Sequence, residues 1–176
     1  MANKVFTGTR KIATTDYNNV KWVGKTKDDR EVVIELDNAI NLDNIDWTMA
    51  EKDEVIAAVT YVGTYEENST EDSGEPWHVT YVDGTAAGTN KPSNILLGLG
   101  TFYIGTTPVG LCRGGGQFTV EREYRTIAAD GDFGTVKDRV SLDSSAPKLK
   151  MNLLEVISEN LTKLYPATKI TDATGE

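Results

Sequence analysis

Apolar and polar residues alternate with a period of two along most of the chain, which predicts a protein built mainly of β-strands. The clearest example is a long strand that begins near residue 118. Successive side chains of a strand point to opposite faces, so its two predicted faces are Phe118, Val120, Arg122 and Tyr124 on one side and Thr119, Glu121, Glu123 and Arg125 on the other. The first face can be buried while the charged face stays in water.

The first half of the chain predicts a hairpin. The segments KWVGK and REVVIEL flank a charged tip at residues 25–29, and Val32, Ile34 and Leu36 fall on one face of the second strand, which we expect to be core. Residues 3–14 predict a further strand, with basic residues typical of a sheet edge.

Residues 38–47 are less regular. Interleaved Asn and Asp residues favour turns, so we expect a compact loop or short helical turn that buries its apolar residues, Ile40, Leu42, Ile45 and Trp47. Asp43 and Asp46 could be considered as metal ligands, but a hard cation needs several converging oxygens and this spacing matches no known loop.

A second predicted pair of strands comprises residues 55–65 and 77–81, with an acidic, exposed loop at residues 66–75 between them. The one histidine, His78, falls in the second of these strands. With no second His and no Cys near it in sequence, a role as a strand residue is favoured over a role as a metal ligand.

The second half begins with another predicted hairpin, in which residues 101–104 and 109–112 flank a turn at residues 105–108. Cys112 is then expected to be a small buried residue rather than a nucleophile, because the only candidate base is distant in sequence. Residues 114–116 are three glycines, which predict a sheet corner or bulge.

Residues 130–146 predict a long loop. Its start, DGD, resembles a calcium-binding loop, but Gly134 takes a ligand position and no Glu closes the frame. Its length and mixed charges suit instead an arm laid across a neighbouring subunit. The candidate contact residues are Asp130, Asp132, Phe133, Val136, Lys137 and Arg139.

The chain continues with an alternating strand through Leu149, Met151 and Leu153. A helix is predicted to begin near Ser158 and to end before Pro166. Its short apolar face consists of Leu161, Leu164 and Tyr165, which we expect to seal the core.

Composition places limits on function. The 176 residues suit one domain, and the net charge of −9 comes from residues 1–90, which hold 8 basic and 17 acidic residues. An acidic surface argues against tight nucleic-acid binding. The sequence supplies no catalytic constellation and no cofactor or metal motif, so we expect a protein that is not an enzyme. With no apolar leader or membrane-length segment, we expect it to be soluble and made in the cytoplasm.

Several segments together resemble the major tail tube protein of long-tailed (siphovirus-type) bacteriophages. They are LGLGTFYIGTTPVGLCRGGG, FTVEREYRTIAADGDFGTVKDR, APKLKMNLLE, NLTKLYPAT and, in the first half, YNNVKWVGKTKDDREVVIELDNAINLDNIDWTMAEKDEVIAAVTYVGTYEE with EPWHV. The resemblance implies a mainly β fold, an antiparallel β-sandwich or barrel of the tail-tube type with one short helix and long loops. It implies a virion protein, assembled in the bacterial host cytoplasm, whose six-fold rings stack into a hollow tube.

In that family a long loop from this sheet contacts adjoining subunits and rings, a role the resemblance assigns to the loop at residues 130–146. The implied partners are further copies of the chain and other phage tail proteins. DNA would pass through the lumen without specific binding, and no membrane would be involved.

The order of the segments departs from the family, which has the glycine-rich hairpins first. We therefore expect a circular permutation. Residues 1–82 resemble the family's carboxyl-terminal half, residues 95–176 resemble its amino-terminal half, and residues 83–94 are a linker that joins the family's usual ends.

Two other classes of function stay open at this stage. A β-sandwich module that binds carbohydrate or a receptor would present exposed aromatic residues, such as a cluster of Trp22, Trp47 and Trp77. A small hydrolase would bring His78 to a Ser or Cys nucleophile.

Overall fold

The computed structural model describes residues 4–47, 54–70, 73–81, 95–131, 133–155, 158 and 160–172. Within these ranges the elements, in chain order, are β1 Lys4–Gly8, a 3-10 helix Thr14–Asp16, β2 Asn18–Thr26, β3 Glu31–Asn41, β4 Ala57–Val62, β5 Trp77–Tyr81, β6 Leu96–Ile104, β7 Thr107–Pro108, β8 Cys112–Thr126, β9 Val140–Leu153, α1 Leu161–Leu164 and β10 Thr168–Asp172.

The strands form two antiparallel layers that share β3. The first sheet has the order β7-β6-β2-β3-β5, and the second sheet has the order β4-β9-β8. The end of β3 joins them, because Ile40 and Asn41 pair with Val62 and Tyr61 of β4. Strands β1 and β10 form a separate antiparallel pair, in which Lys4 is opposite Asp172.

The hydrophobic core lies between the two sheets, as the alternating pattern predicts. The β2-β3 hairpin forms around the predicted charged tip, and Val32 and Leu36 are buried on its core face. The core residues of the first sheet include Val20, Trp22, Leu36, Phe102 and Ile104, and those of the second include Val59, Tyr61, Leu149, Met151 and Leu153.

The predicted class, a mainly β antiparallel sandwich with one short helix, is confirmed. The alternative of a closed barrel is not: among the described strands, the sheet path ends at β7 and β6 on one side and at β8 on the other. A sandwich leaves such edges open, whereas a barrel would pair them.

Helix α1 closes one end of the core, as expected from its short apolar face. Leu161, Leu164 and Tyr165 are buried. The Tyr61 hydroxyl donates a hydrogen bond to the Lys163 carbonyl at 2.7 Å, and the Asn41 side-chain amide donates one to the Leu164 carbonyl at 2.6 Å. Buried polar groups from the strands thus satisfy carbonyls at the helix end that lack intrahelical partners.

The partner predicted for β5 is wrong. Residues 77–81 form a strand, but it pairs with β3, with Trp77 opposite Leu36, and not with β4. Strand β4 is paired along its length with β9, from Ala57 opposite Leu153 to Val62 opposite Lys148. Sequence adjacency therefore misleads here, because β3 is long enough to pair with β5 at one end and β4 at the other.

The prediction for residues 38–47 is also partly wrong. Strand β3 continues through Asn41 and buries Ile40, but Leu42 and Ile45 are 65% and 52% exposed. The Asn41 side-chain oxygen accepts a hydrogen bond from the Asp43 backbone N–H, which turns the chain away from the core.

Residues 140–146 are strand rather than loop. They pair with β8, from Val140 opposite Thr126 to Ala146 opposite Glu121, so the connecting loop is confined to residues 127–139. Cys112, expected to be buried, is exposed, because it lies at the open end of β8.

The bulge predicted at residues 114–116 is confirmed. The register of β8 against β9 shifts between Cys112 and Gly116, and Gly114 and Gly115 have φ values of 81° and 75°. Glycine adopts this left-handed backbone without steric cost.

Strand β1, near the amino terminus, is shorter than expected, and β10, near the carboxyl terminus, was not predicted. Strand β1 covers five residues rather than the twelve of residues 3–14, and β10 follows α1 without a sequence prediction. The proposed junction at residues 83–94 lies outside the described residues. Among the described helices, none has the length and apolar character needed to cross a membrane.

Candidate subunit interface

Two long strands, β8 and β6, each have an edge that is open over most of its length in the described part of the chain. Strand β8 is fifteen residues long and pairs only with β9. Strand β6 pairs with β2 on one side, and on its other side β7 reaches only Tyr103 and Ile104. Open edges present backbone donors and acceptors that another strand can satisfy.

The β6 edge is apolar as well as open. Its sequence LLGLG contains no charged residue, and Leu99 is 84% exposed, with Leu96 and Leu97 also exposed. Leu111, just before β8, is 66% exposed. Exposed apolar residues that cluster in this way are typical of protein interaction sites.

Beyond β4, the β8-β9 pair extends as a two-stranded segment that we term the distal ribbon, residues 121–126 paired with residues 140–146. Tyr124 lies opposite Leu142, so both side chains share one face. Both are exposed, as is Val140. The face that begins with half-buried Phe118 and Val120 thus continues into the ribbon, where Glu75 contacts Arg122 and Ser145 and where Tyr124 and Leu142 stay exposed.

The loop at residues 127–139 carries all six predicted contact residues, and the structure describes five of them. Asp130, Phe133, Lys137 and Arg139 are exposed, and Val136 is half-buried. The Val136 carbonyl accepts a hydrogen bond from the Arg139 backbone N–H at 3.2 Å. Asp132 lies outside the described residues. The structure places the five described residues together in the loop at the end of the distal ribbon.

An apolar cleft of about 230 Å³ opens between the edges of β6 and β8. Its floor is the core itself, and its mouth is formed by the β6 edge and by β8 near Gly116. The side chains that line it include Trp22, Ile34, Leu97, Phe102, Phe118 and Leu149. The two sheets are close here because Gly116 has no side chain: a Cβ would overlap the Phe102 ring and lie 2.6 Å from the Lys150 carbonyl oxygen.

Glu75, just before β5, forms an ion pair and a hydrogen bond with residues of the distal ribbon. Its carboxylate accepts hydrogen bonds from Trp77 Nε1, from Arg122 at 2.9 Å and from the Ser145 hydroxyl at 3.0 Å. Burial raises the pKa of Glu75, but the three hydrogen bonds outweigh burial and lower the pKa below its ordinary value. The Trp77 ring also packs against Phe118, with ring centroids 5.5 Å apart. These contacts join the two sheets along one side of the sandwich.

His78 faces two carboxylates. Its Nε2 lies 3.4 Å from Glu35 and its Nδ1 lies 3.5 Å from Asp37, and the Asn19 amide donates to both carboxylates. The side chain is half exposed on the outer side of the first sheet. Both ring nitrogens are therefore directed at groups that orient the imidazole rather than at a Ser or Cys that it could activate.

The three tryptophans do not form an exposed platform. Trp22 is 8% exposed and belongs to the core, while Trp47 and Trp77 are partly buried and pack against it. Trp47 Nε1 donates to the Tyr165 hydroxyl at 2.9 Å. These three residues therefore do not form the exposed aromatic cluster expected of a carbohydrate- or receptor-binding module.

Asp43 has a structural partner. Its carboxylate accepts a hydrogen bond from the Thr60 backbone N–H at 2.7 Å. A search of the described residues finds no group of three or more His, Cys, Asp or Glu side chains placed to hold a metal ion.

Comparison of the chain with protein-family models, with curated proteins and with solved structures gives no match.

The cleft and the apolar β6 edge are absent from the sequence predictions. The segment LLGLG did carry a signal, since it lacks the polar alternation of a strand with one face in water. The cleft had none, because it depends on how closely two strands distant in sequence approach each other.

Proposed function

We propose that this chain is a structural subunit that assembles with copies of itself. In its specific form, the proposal is a tail tube subunit of a long-tailed bacteriophage, forming six-fold rings that stack around a hollow conduit for DNA. The observation that carries self-assembly is the fifteen-residue open edge of β8 together with the open, apolar edge of β6. The tail-tube identity is supported by the sequence resemblance.

The mechanism is edge pairing followed by locking. Strand β8 of one subunit adds to an open edge of the next, so backbone groups exchange water for hydrogen bonds within a continuous sheet. The loop at residues 127–139 then contacts a further subunit. The chain catalyses nothing, and DNA passes without specific binding.

Two pairings support the proposed permutation. Strands β1 and β10 are antiparallel, with Lys4 opposite Asp172, so a short connection between them would make an ordinary hairpin. At the other junction, Tyr81 ends β5 and Leu96 begins β6, and β3 and β2 lie between these strands. Three strand spacings amount to about 14 Å across the sheet, and Leu96 lies four residues along β6 from the position aligned with Tyr81, which adds about 13 Å. The resulting span of about 20 Å is within the reach of the connecting residues.

The first test is electron microscopy of the purified chain together with a mass measurement in solution. Hollow tubes or rings are expected. A chain that stays monomeric at all accessible concentrations would overturn self-assembly, and assemblies without a central channel would overturn the tube.

Two leucines provide matched variants. Leu99→Lys places a charge on the open β6 edge and should prevent assembly, because a desolvated charge opposes close pairing. Leu42→Lys changes a similarly exposed leucine beyond the end of β3 and should leave assembly intact. Equal behaviour of the two variants would show that the β6 edge is not an interface.

The permutation has its own test. A chain with residues 95–176 placed before residues 1–82, with the present ends joined by a short linker, should show the same strand content and an equal or greater tendency to form tubes. Failure of this chain to fold, while the present chain folds, would contradict the permutation.

A further inference from the structure

We propose that Phe133 of one copy occupies the apolar cleft between β6 and β8 of a neighbouring copy. This inference rests on the proposed self-assembly and adds the contact that determines how one subunit is placed on the next.

Phe133 is the projecting part of this contact. Its side chain is fully exposed, at 109% of the reference value, which makes it the most exposed of the large apolar residues described. Gly131 and Gly134, with φ values of 94° and 148°, flank it in the loop. An aromatic ring held entirely in water loses the free energy that burial would provide, so a partner surface would stabilise it.

The cleft is the receiving part. Its volume of about 230 Å³ exceeds the ~150 Å³ of an apolar cavity that holds benzene. Aromatic side chains line it on both sheets, with Trp22 and Phe102 on one and Phe118 on the other. A phenyl ring in the cleft would therefore have aromatic neighbours on both sheets, and aromatic pairs are favourable contacts.

Phe133 cannot reach the cleft of its own chain. Phe118 lines the cleft, and β8 stays paired with β9 from there to Thr126. Eight strand residues place the start of the loop about 26 Å away. The occupant must then come from another molecule.

The two surfaces differ, and both lie on one chain, so a one-way contact leaves a free Phe133 on one copy and a free cleft on the other. Such a heterologous contact generates a closed ring or an open stack, whereas reciprocal insertion would close a twofold dimer. The exposed leucines of the β6 edge and the exposed apolar residues of the ribbon and loop would add to it. A specific interface buries about 1,000 Å² or more in total, so these residues would have to add to the area that Phe133 buries.

Disulfide trapping tests the contact directly. The exposed native thiol is first removed with Cys112→Ser. One preparation then carries Phe133→Cys and a second carries Leu97→Cys at the cleft. After mixing under oxidising conditions, a disulfide that joins position 133 of one chain to position 97 of another is expected, identified by peptide mass mapping. In a mixture in which Leu42→Cys replaces Leu97→Cys, a link from position 133 to position 42 should not form, because Leu42 is exposed but does not line the cleft.

A double-mutant cycle tests the energetics. Phe133→Ala removes the ring, and Gly98→Leu fills the cleft from a position where a Cβ meets no atom within 4 Å. Each variant should raise the concentration needed for assembly by about tenfold or more, which corresponds to about 1.4 kcal/mol. The double variant should need no higher concentration for assembly than the more strongly impaired single variant, because the two substitutions remove the same contact. Tyr17→Ala, which removes an exposed aromatic residue elsewhere, should have no effect.

The outcomes separate this contact from the proposed function. Assembly without the Phe133-Leu97 link, or with additive effects in the cycle, overturns the contact and leaves the tube subunit standing. A chain that never assembles overturns both. Links that form only between two chains of the same preparation, 133 to 133 or 97 to 97, overturn the assignment of the cleft as the receptor of Phe133.

Discussion

The two halves of the β8-β9 pair have the same alternating pattern and different surroundings. In the half next to β4, where residues 112–120 pair with residues 147–153, Leu149 and Met151 are buried beneath the first sheet. In the distal ribbon, Leu142 and Tyr124 occupy equivalent apolar positions and are exposed. The pattern determines which face is apolar, but the reach of the opposing sheet determines whether that face is covered. An uncovered continuation of a core face is where a partner is to be expected.

The largest effect should come from truncating matched leucines of β9. Leu149→Ala removes a side chain that is 2% exposed and should lower the free energy of unfolding by about 2–5 kcal/mol. Leu142→Ala removes one that is 44% exposed and should change it by less than about 0.5 kcal/mol. Urea unfolding of the two variants measures both. Similar losses would mean that the ribbon face is covered within the monomer.

A smaller effect is expected from glycines at the cleft. Gly116→Ala places a Cβ against Phe102 and the Lys150 carbonyl, and should lower the free energy of unfolding by about 1–3 kcal/mol. Gly98→Ala, on the facing edge, meets open space and should be nearly neutral. Thermal unfolding compares them. If Gly116→Ala proved neutral, the two sheets would be less closely packed at β8 than described.

The smallest effect concerns the attachment of the ribbon. Glu75→Gln weakens a carboxylate that accepts three hydrogen bonds and should lower the free energy of unfolding at pH 7 by about 1 kcal/mol. Glu67→Gln, in the same loop, is the control. Because the folded-state pKa of Glu75 lies below its ordinary value of 4.5, its contribution is present above pH 4.5 and disappears as pH falls through the folded pKa.

Urea unfolding at pH 7 and pH 3 should therefore show the difference between wild type and Glu75→Gln shrinking at low pH. A difference that persists unchanged would point to side-chain packing rather than to the charge of Glu75.

Local patterns predicted the strands around Val32, Phe118 and Leu149, the bulge at residues 114–116 and the helix that contains Leu161. These features depend on alternation, on glycine geometry and on a proline stop. The partner of β5 depends on which stretch of β3 stays unpaired, and the exposure of Leu42 depends on a hydrogen bond between Asn41 and Asp43. Such long-range and side-chain-specific terms leave no periodic trace in a single sequence.

The candidate interface was predictable to a lesser extent. The loop residues around Phe133 were identified from length and charge, and their clustering at the ribbon end depends on the extension of β9 to Val140. The cleft needs the close approach of Gly116 to Phe102, two residues that belong to different sheets. No spacing rule in the sequence encodes that approach.

The pairing of β1 with β10 has a consequence for the order of folding. These strands are separated by almost the whole described sequence, so bringing them together closes the longest loop in the molecule, at an entropic cost that rises with loop length. The hairpin β2-β3, which closes a short loop, can form early. We expect pulsed hydrogen exchange to protect the amides of β2 and β3 first and those of β1 last. The β1-β10 pair would then form last, after the two sheets of the sandwich have already packed together.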